Sequence, residues 1–214
     1  MFRNYMREPF SGLSHLLGAV LTIPALIFML VKLPDDIPYR YLVSYLVFSV
    51  SMFLMFFASA IYHLMDVGEQ TLRKLKRIDH IAIFIMIAGS YTPYCLIGLE
   101  NSLALIMLSL IWSIAIMGIV IKMFWLHAPR WMSTVLYVAM GWMAIVVYEP
   151  LSIGLPSKAI SWLLAGGIAY TLGAVVYATK WPNIHAKYFN FHDFWHIFVL
   201  AGATCHFISI GVYL

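Results

Sequence analysis

Charged residues divide this chain into long apolar stretches, and that pattern limits the fold more than any other feature. Seven stretches contain no Asp, Glu, Lys or Arg over 18 residues or more: 9–31, 41–65, 80–99, 101–121, 131–148, 159–179 and 194–214. A helix needs about 20 apolar residues to cross a hydrocarbon core about 30 Å thick. None of the stretches alternates as a barrel strand does. The sequence therefore predicts an all-α integral membrane bundle of seven transmembrane helices.

The composition supports this interpretation. Of the 214 residues, 63% are hydrophobic and only 10% are charged, whereas soluble domains carry about 25% charged residues. A soluble enzyme, a disordered chain and a nucleic-acid binder are excluded. We expect one transmembrane domain over 1–214, with helices at approximately 11–32, 41–64, 79–98, 102–122, 131–148, 159–179 and 191–213.

The Lys and Arg residues are distributed unequally between the two sides of such a bundle. One side carries ten of them: Arg3, Arg7, Arg73, Lys74, Lys76, Arg77, Lys122, Arg130, Lys180 and Lys187. The other side carries three: Lys32, Arg40 and Lys158. Because cytoplasmic loops are enriched in Lys and Arg, the count predicts a cytoplasmic N-terminus and a C-terminus outside.

Polar residues collect at the cytoplasmic ends of the predicted helices. Ser59 and His63 lie one turn apart at the end of the second helix, and Asp79 opens the third. His192 and His196 lie one turn apart at the start of the seventh helix. Because these positions share one depth, residues of separate helices can form a single site. Three supporting candidates share this depth at the start of the first helix: Glu8, Ser11 and His15.

Three imidazoles and a carboxylate in an apolar medium suggest a zinc site. Imidazole suits Zn²⁺, and three protein ligands leave a fourth position for water. Asp79 could ligate the metal directly or hold its bound water as a general base, and Ser59 suits a supporting hydrogen bond. Two plainer interpretations compete with this one. The histidines could be polar caps near the interface, and Asp79 could form an ion pair with Arg77 or Lys76.

His206 lies at a different depth in the membrane from the other candidate histidines. It follows His196 by ten residues, which places it about 15 Å deeper in a helix. That is too far to bind the same ion. We expect His206 to hydrogen-bond within the bundle or to line a polar path toward the outer side, and we assign no role to Asp193.

Four motifs follow one another along the predicted helices. They are EPFSGLSH at 8–15, SAIYH at 59–63, DH at 79–80 with AGSYTP at 88–93, and HDFWH at 192–196. In this order they resemble the motifs of the hemolysin III family, the bacterial branch of the progestin and adipoQ receptor family. The resemblance extends over essentially the whole chain.

The resemblance implies a seven-helix bundle with an intramembrane zinc near the cytoplasmic face. By position, the zinc ligands are His63, His192 and His196, Asp79 holds the zinc-bound water, and Ser59 lies beside it. The resemblance also implies a multi-pass protein of the bacterial plasma membrane that acts on or among membrane lipids. It names no protein partner.

Three functions are compatible with these expectations. The first is a zinc-dependent hydrolase of a lipid amide or ester bond, similar to the alkaline ceramidases. The second is a non-enzymatic receptor-like or membrane-homeostasis protein in which zinc is structural. The third is a cytolysin, as the family name suggests, although a pore needs a polar stripe that a stretch such as 101–121 lacks. An open coordination position favours the first over the second.

Overall fold

The computed structural model describes residues 6–34, 36–125, 129–182 and 189–214. Its elements are α1 (Pro9–Val31), α2 (Tyr39–Leu64), α3 (Glu69–Gly98), α4 (Asn101–Phe124), α5 (Arg130–Trp142), a 3₁₀ segment (Met143–Val147), α6 (Tyr148–Gly154), α7 (Ser157–Thr179), α8 (Phe191–Phe207) and a π-helical turn (Ile208–Val212). Seven spans of the described residues are helical, long and apolar enough to cross a membrane. The predicted all-α fold with seven spans is confirmed.

The starts of α1, α3, α5 and α8 and the ends of α2, α4 and α7 lie at one end of the bundle. We call it the basic end, because eight of the eleven Lys and Arg residues among those that the structure describes belong to this end. The opposite end is called the far end. Which end faces the cytoplasm stays a prediction from the charge count.

The centre of the bundle is α3, which packs between α2 and α4. In its most apolar window 67% of the residues are buried, compared with 17% in the fifth span. Glycines allow the close approach on both sides of α3. A Cβ at Gly89 would lie 2.1 Å from the Ser51 hydroxyl of α2, and a Cβ at Gly118 of α4 would lie 2.3 Å from the Phe84 ring. The bundle closes where α1 meets α8.

The third helix begins at Glu69, and the expected start at 79 is wrong. The expectation used charge to mark the helix boundary, but charge marks only where the chain leaves the apolar medium. The added turns carry the basic segment and are stabilised on their solvent face by an ion pair, in which the Arg73 Nη1 lies 2.5 Å from the Glu69 Oε1.

The fifth span differs from the single helix expected at 131–148. Its α-helical hydrogen bonding stops at Trp142 and resumes at Tyr148. The hydroxyl of Tyr91 on α3 enters this break, where it accepts from the Ala144 amide at 2.8 Å and lies 2.7 Å from the Met140 carbonyl oxygen. A side chain that takes over backbone hydrogen bonds in this way interrupts a helix. Pro150 lies in the first turn of α6, where no intrahelical hydrogen bond requires the amide proton that proline lacks.

Candidate metal centre

Three histidines converge at the basic end of the bundle. His63 lies in the last turn of α2, and His192 and His196 lie in the first two turns of α8. Each offers one ring nitrogen, and these three atoms lie within 4.8 Å of one another. The Nε2 atom of His192 is 3.4 Å from that of His63 and 3.2 Å from that of His196. This cluster could hold a metal ion.

The spacing of the nitrogens fits a tetrahedral metal. Zn–N bonds of about 2.0–2.1 Å at tetrahedral angles separate two ligand nitrogens by about 3.3 Å. The two Nε2 separations of 3.2 and 3.4 Å agree with that value. Imidazole nitrogen also suits zinc among the common biological metals. The imidazole donors and these two separations are therefore compatible with zinc.

The chain just before α1 holds the His63 ring. The Glu8 carboxylate hydrogen-bonds to His63 Nδ1, and the Glu8 amide donates to the His63 carbonyl oxygen at 2.9 Å. With Nδ1–H donating to Glu8, the lone pair of His63 Nε2 points toward the other histidines. Burial alone would raise the pKa of Glu8, but the hydrogen bond and charge of His63, together with the charge of Arg7, lower it overall. Glu8 is thus placed to support a ligand.

The start of α8 is fixed by a capping box. The Asn190 side chain accepts a hydrogen bond from the His192 amide at 2.8 Å, and the Asp193 carboxylate accepts from the Asn190 amide at 3.0 Å. The Ser11 hydroxyl of α1 donates to the other Asp193 oxygen at 2.7 Å. These contacts orient the turn that carries His192. Sequence reasoning gave Asp193 no role and overlooked Asn190, although a polar cap followed by an acid three residues later signals this motif.

His15 packs beside the cluster and is not part of it. Its buried ring lies 3.9 Å from that of His196 and 5.0 Å from that of Phe56, measured between ring centroids. In the described part of the chain, the converging ring nitrogens come from three residues only. His15 therefore supports His196 by contact.

Asp79 and Ser59 lie on the wall of the same cavity as the three histidines. Both are buried, and the Ser59 side chain is a hydrogen-bonding neighbour of the Asp79 carboxylate. Among the described side chains, no ion pair within 4.0 Å joins Asp79 to Lys76 or Arg77. Asp79 interacts electrostatically with His63 but does not belong to the converging group. A buried carboxylate thus lies on the same cavity wall as the histidine cluster and outside the converging group.

A cavity of about 420 Å³ runs from the histidine cluster toward the far end. Its far part is lined by Tyr94, Leu151, Ile160 and His206, and side chains of α5 and α7 form much of its wall. His206 hydrogen-bonds to the Tyr94 hydroxyl, with 3.3 Å between Nδ1 and Oη. This is the bonding within the bundle that the sequence suggested. The volume lies in the range of small-molecule sites, and the lining is mostly apolar.

Comparison with known proteins identifies the family to which this chain belongs. A family profile described as haemolysin-III related matches residues 3–207. The chain belongs to the haemolysin-III family. It is similar to Hemolysin-3 of Bacillus cereus, with 38% identity over 95% of this chain and 90% of the relative. It is also similar to the Hemolysin-3 homolog of Bacillus subtilis (strain 168), with 35% identity over 95% of this chain and 92% of the relative.

A more distant similarity connects this haemolysin-III protein to a receptor. The adiponectin receptor protein of Drosophila melanogaster is 22% identical over 92% of this chain and 48% of the relative. The resemblance to the hemolysin III family that the motifs indicated is therefore confirmed. The prediction of a multi-pass membrane protein is confirmed as well.

Proposed function

We propose that this haemolysin-III protein is a zinc-dependent hydrolase that cleaves an amide or ester bond of a membrane lipid at the basic end of the bundle. One observation carries the proposal. Three imidazole nitrogens that lie within 4.8 Å of one another border a cavity of about 420 Å³, and a buried carboxylate lines the same cavity. A purely structural site needs neither the cavity nor the carboxylate.

The roles of the residues follow from their positions. His63, His192 and His196 hold the metal, with Glu8 fixing the ring of His63. Zinc bound there supplies Lewis acidity and makes water nucleophilic near neutral pH. The Asp79 carboxylate accepts the proton from the attacking water and returns it to the leaving nitrogen or oxygen. The water oxygen bonds to the carbonyl carbon, the C–N or C–O bond breaks, and a fatty acid and an amine or alcohol result. The Ser59 hydroxyl lines the same wall and donates a hydrogen bond to the oxyanion that develops on the carbonyl oxygen.

The location of the cluster suits this substrate class. At the end of the bundle, a scissile bond next to a lipid headgroup reaches the histidines while the acyl chain fills the apolar part of the cavity. We infer that the protein lies in the bacterial plasma membrane and that membrane lipids are its partners.

The metal assignment is tested by elemental analysis of the purified protein. We expect about one Zn²⁺ per chain, and none in the double variant His192→Ala/His196→Ala. His206→Gln is the matched control, since it removes an imidazole from the same helix about 15 Å away and should keep the zinc. Full zinc occupancy in the double variant would contradict the ligand assignment.

The catalytic role is tested by Asp79→Asn. The metal-replete protein is incubated with ceramide-like lipids and glycerolipids, and released fatty acid is measured. Asp79→Asn should retain zinc and lose about 10²–10⁴-fold in turnover, the usual contribution of a general base. Asp66→Asn, an exposed acid at the same end, should turn over as the wild type does. No release by the wild type across the panel would favour structural zinc in a non-enzymatic protein, and equal release by both proteins would remove Asp79 from the mechanism.

A further inference from the structure

Two lysines line the basic end of the same cavity, and neither the metal nor the proposed chemistry uses them. Lys122 lies in the last turn of α4, and Lys76 lies in the second turn of α3. Both border the cavity. Lys122 is only 3% exposed, and Lys76 is half-buried. A buried ammonium group is costly unless a counter-charge or hydrogen-bond acceptor meets it.

The packing of α3 on α4 sets this pair side by side. The two helices are antiparallel neighbours joined by a short turn, and Phe84 packs on Gly118. One turn further toward the basic end, His80 follows on α3 and Lys122 follows on α4. Lys76 lies one more turn along the same face of α3. The Lys122 charge acts on His80, and the Lys76 charge acts on Lys122.

No carboxylate of the described residues forms an ion pair with this group. Neither lysine lies within 4.0 Å of a carboxylate, and neither donates a hydrogen bond to a described residue. The Nδ1 atom of His80 is buried without a hydrogen-bond partner in the same part of the chain. Asp79 is the carboxylate whose charge interacts with Lys76, but it forms no ion pair with it. Two lysine side chains and the His80 residue therefore border a cavity that could admit an anion.

We propose that Lys122, Lys76 and His80 bind the phosphate group of an anionic membrane lipid whose acyl chain occupies the cavity. Ammonium and imidazole N–H groups form short, charge-assisted hydrogen bonds to phosphate oxygens. The apolar lining beyond Asp79 takes the hydrocarbon that accompanies a lipid phosphate. Selection of phosphate-bearing lipids as substrates rests on the proposed hydrolysis, whereas binding at this site does not.

The experiment measures lipid binding to the full-length, metal-replete protein in detergent micelles by native mass spectrometry. The probes are phosphatidylglycerol, diacylglycerol with the same acyl chains, and inorganic phosphate. We expect tight binding of phosphatidylglycerol only. Lys122→Met keeps the apolar stem and removes the charge, so its affinity should fall about 10-fold to 100-fold, as for a lost charged hydrogen bond. Lys122→Arg should retain most of the affinity.

Two further variants separate this site from general effects of charge and folding. Lys76→Met, at a half-buried position, should lose a similar factor. Lys74→Met removes an exposed charge from the same helix, away from the cavity lining, and should bind as the wild type does. Equal binding by wild type and Lys122→Met would overturn the proposal, and so would equal binding of diacylglycerol. Inorganic phosphate bound as tightly as the lipid would overturn the assignment of a lipid.

The metal-ligand variant keeps the two proposals distinct. In His192→Ala/His196→Ala, binding of phosphatidylglycerol should persist and should still depend on Lys122. That result supports the phosphate site whether or not the wild type hydrolyses lipid. Loss of the dependence on Lys122 in this background would overturn it.

Discussion

Replacing Glu8 should weaken zinc binding, although Glu8 is not itself a ligand. Its carboxylate hydrogen-bonds to the Nδ1 atom of His63, whose own side chain is only 2% exposed. Loss of such a supporting contact typically costs 10-fold to 100-fold in metal affinity, or about 1.4–2.8 kcal/mol. The Glu8 side chain is 45% exposed, and a glutamine carbonyl still accepts from Nδ1–H. We therefore expect about 10-fold for Glu8→Gln and about 100-fold for Glu8→Ala.

The assay is a titration of the metal-free protein with zinc against a competing chelator, with metal content checked by elemental analysis. The backbone bond from the Glu8 amide to the His63 carbonyl survives in both variants, so the chain before α1 keeps its attachment to α2. Glu69→Gln is the matched control, since it removes a highly exposed carboxylate from the same end of the bundle. A zinc affinity of Glu8→Ala within twofold of the wild type would refute this reasoning. An equal loss in Glu69→Gln would assign the effect to surface charge.

Three further predictions concern the fold. Gly118→Ala should lower the free energy of unfolding by about 1–3 kcal/mol through overpacking against Phe84. In Gly141→Ala, the added Cβ meets no atom within 4 Å, and thermal unfolding should give the wild-type free energy. Asn190→Ala should lower the unfolding free energy by about 1 kcal/mol through loss of the cap. An unchanged unfolding free energy would show that this cap does not stabilise α8. A reporter fused after Leu214 should lie outside the cytoplasm, and a cytoplasmic reporter would overturn the orientation drawn from the charge count.

The number and placement of the spans could be predicted because a bilayer imposes one requirement on every span. A charged residue within a span is costly, so charge-free stretches of sufficient length identify the seven helices. The same rule gives no information about where a helix ends outside the apolar medium, and the start of α3 at Glu69 was therefore missed. The break in the fifth span was missed for a different reason. It depends on the hydroxyl of Tyr91, which is 53 residues distant in sequence from the amide it meets.

The three histidines of the candidate site could be predicted from the sequence, and the residues that support them much less so. His192 and His196 share a helix face by spacing alone, and the motif order pointed to His63 as their partner. Lys122 was counted only as one more basic residue at a helix end. Its burial against α3 depends on the register of two antiparallel helices, which Gly118 and Phe84 set by contact. No local pattern in the sequence encodes such a register.

The bundle closes through protein contacts at both of its ends, and this bears on what a metal does there. At the basic end, the Ser11 hydroxyl of α1 hydrogen-bonds to Asp193 of α8. At the far end, the Lys32 ammonium donates to the Gly211 carbonyl oxygen at 3.0 Å. Phe28 and Phe207 pack between these two contacts, with their ring centroids 6.1 Å apart. Because α1 and α8 meet through residues outside the histidine cluster, we expect a metal held between α2 and α8 to leave the contact of α1 with α8 unchanged. In the proposed function, the position of the cluster on the cavity wall brings the metal next to the lipid that the cavity holds.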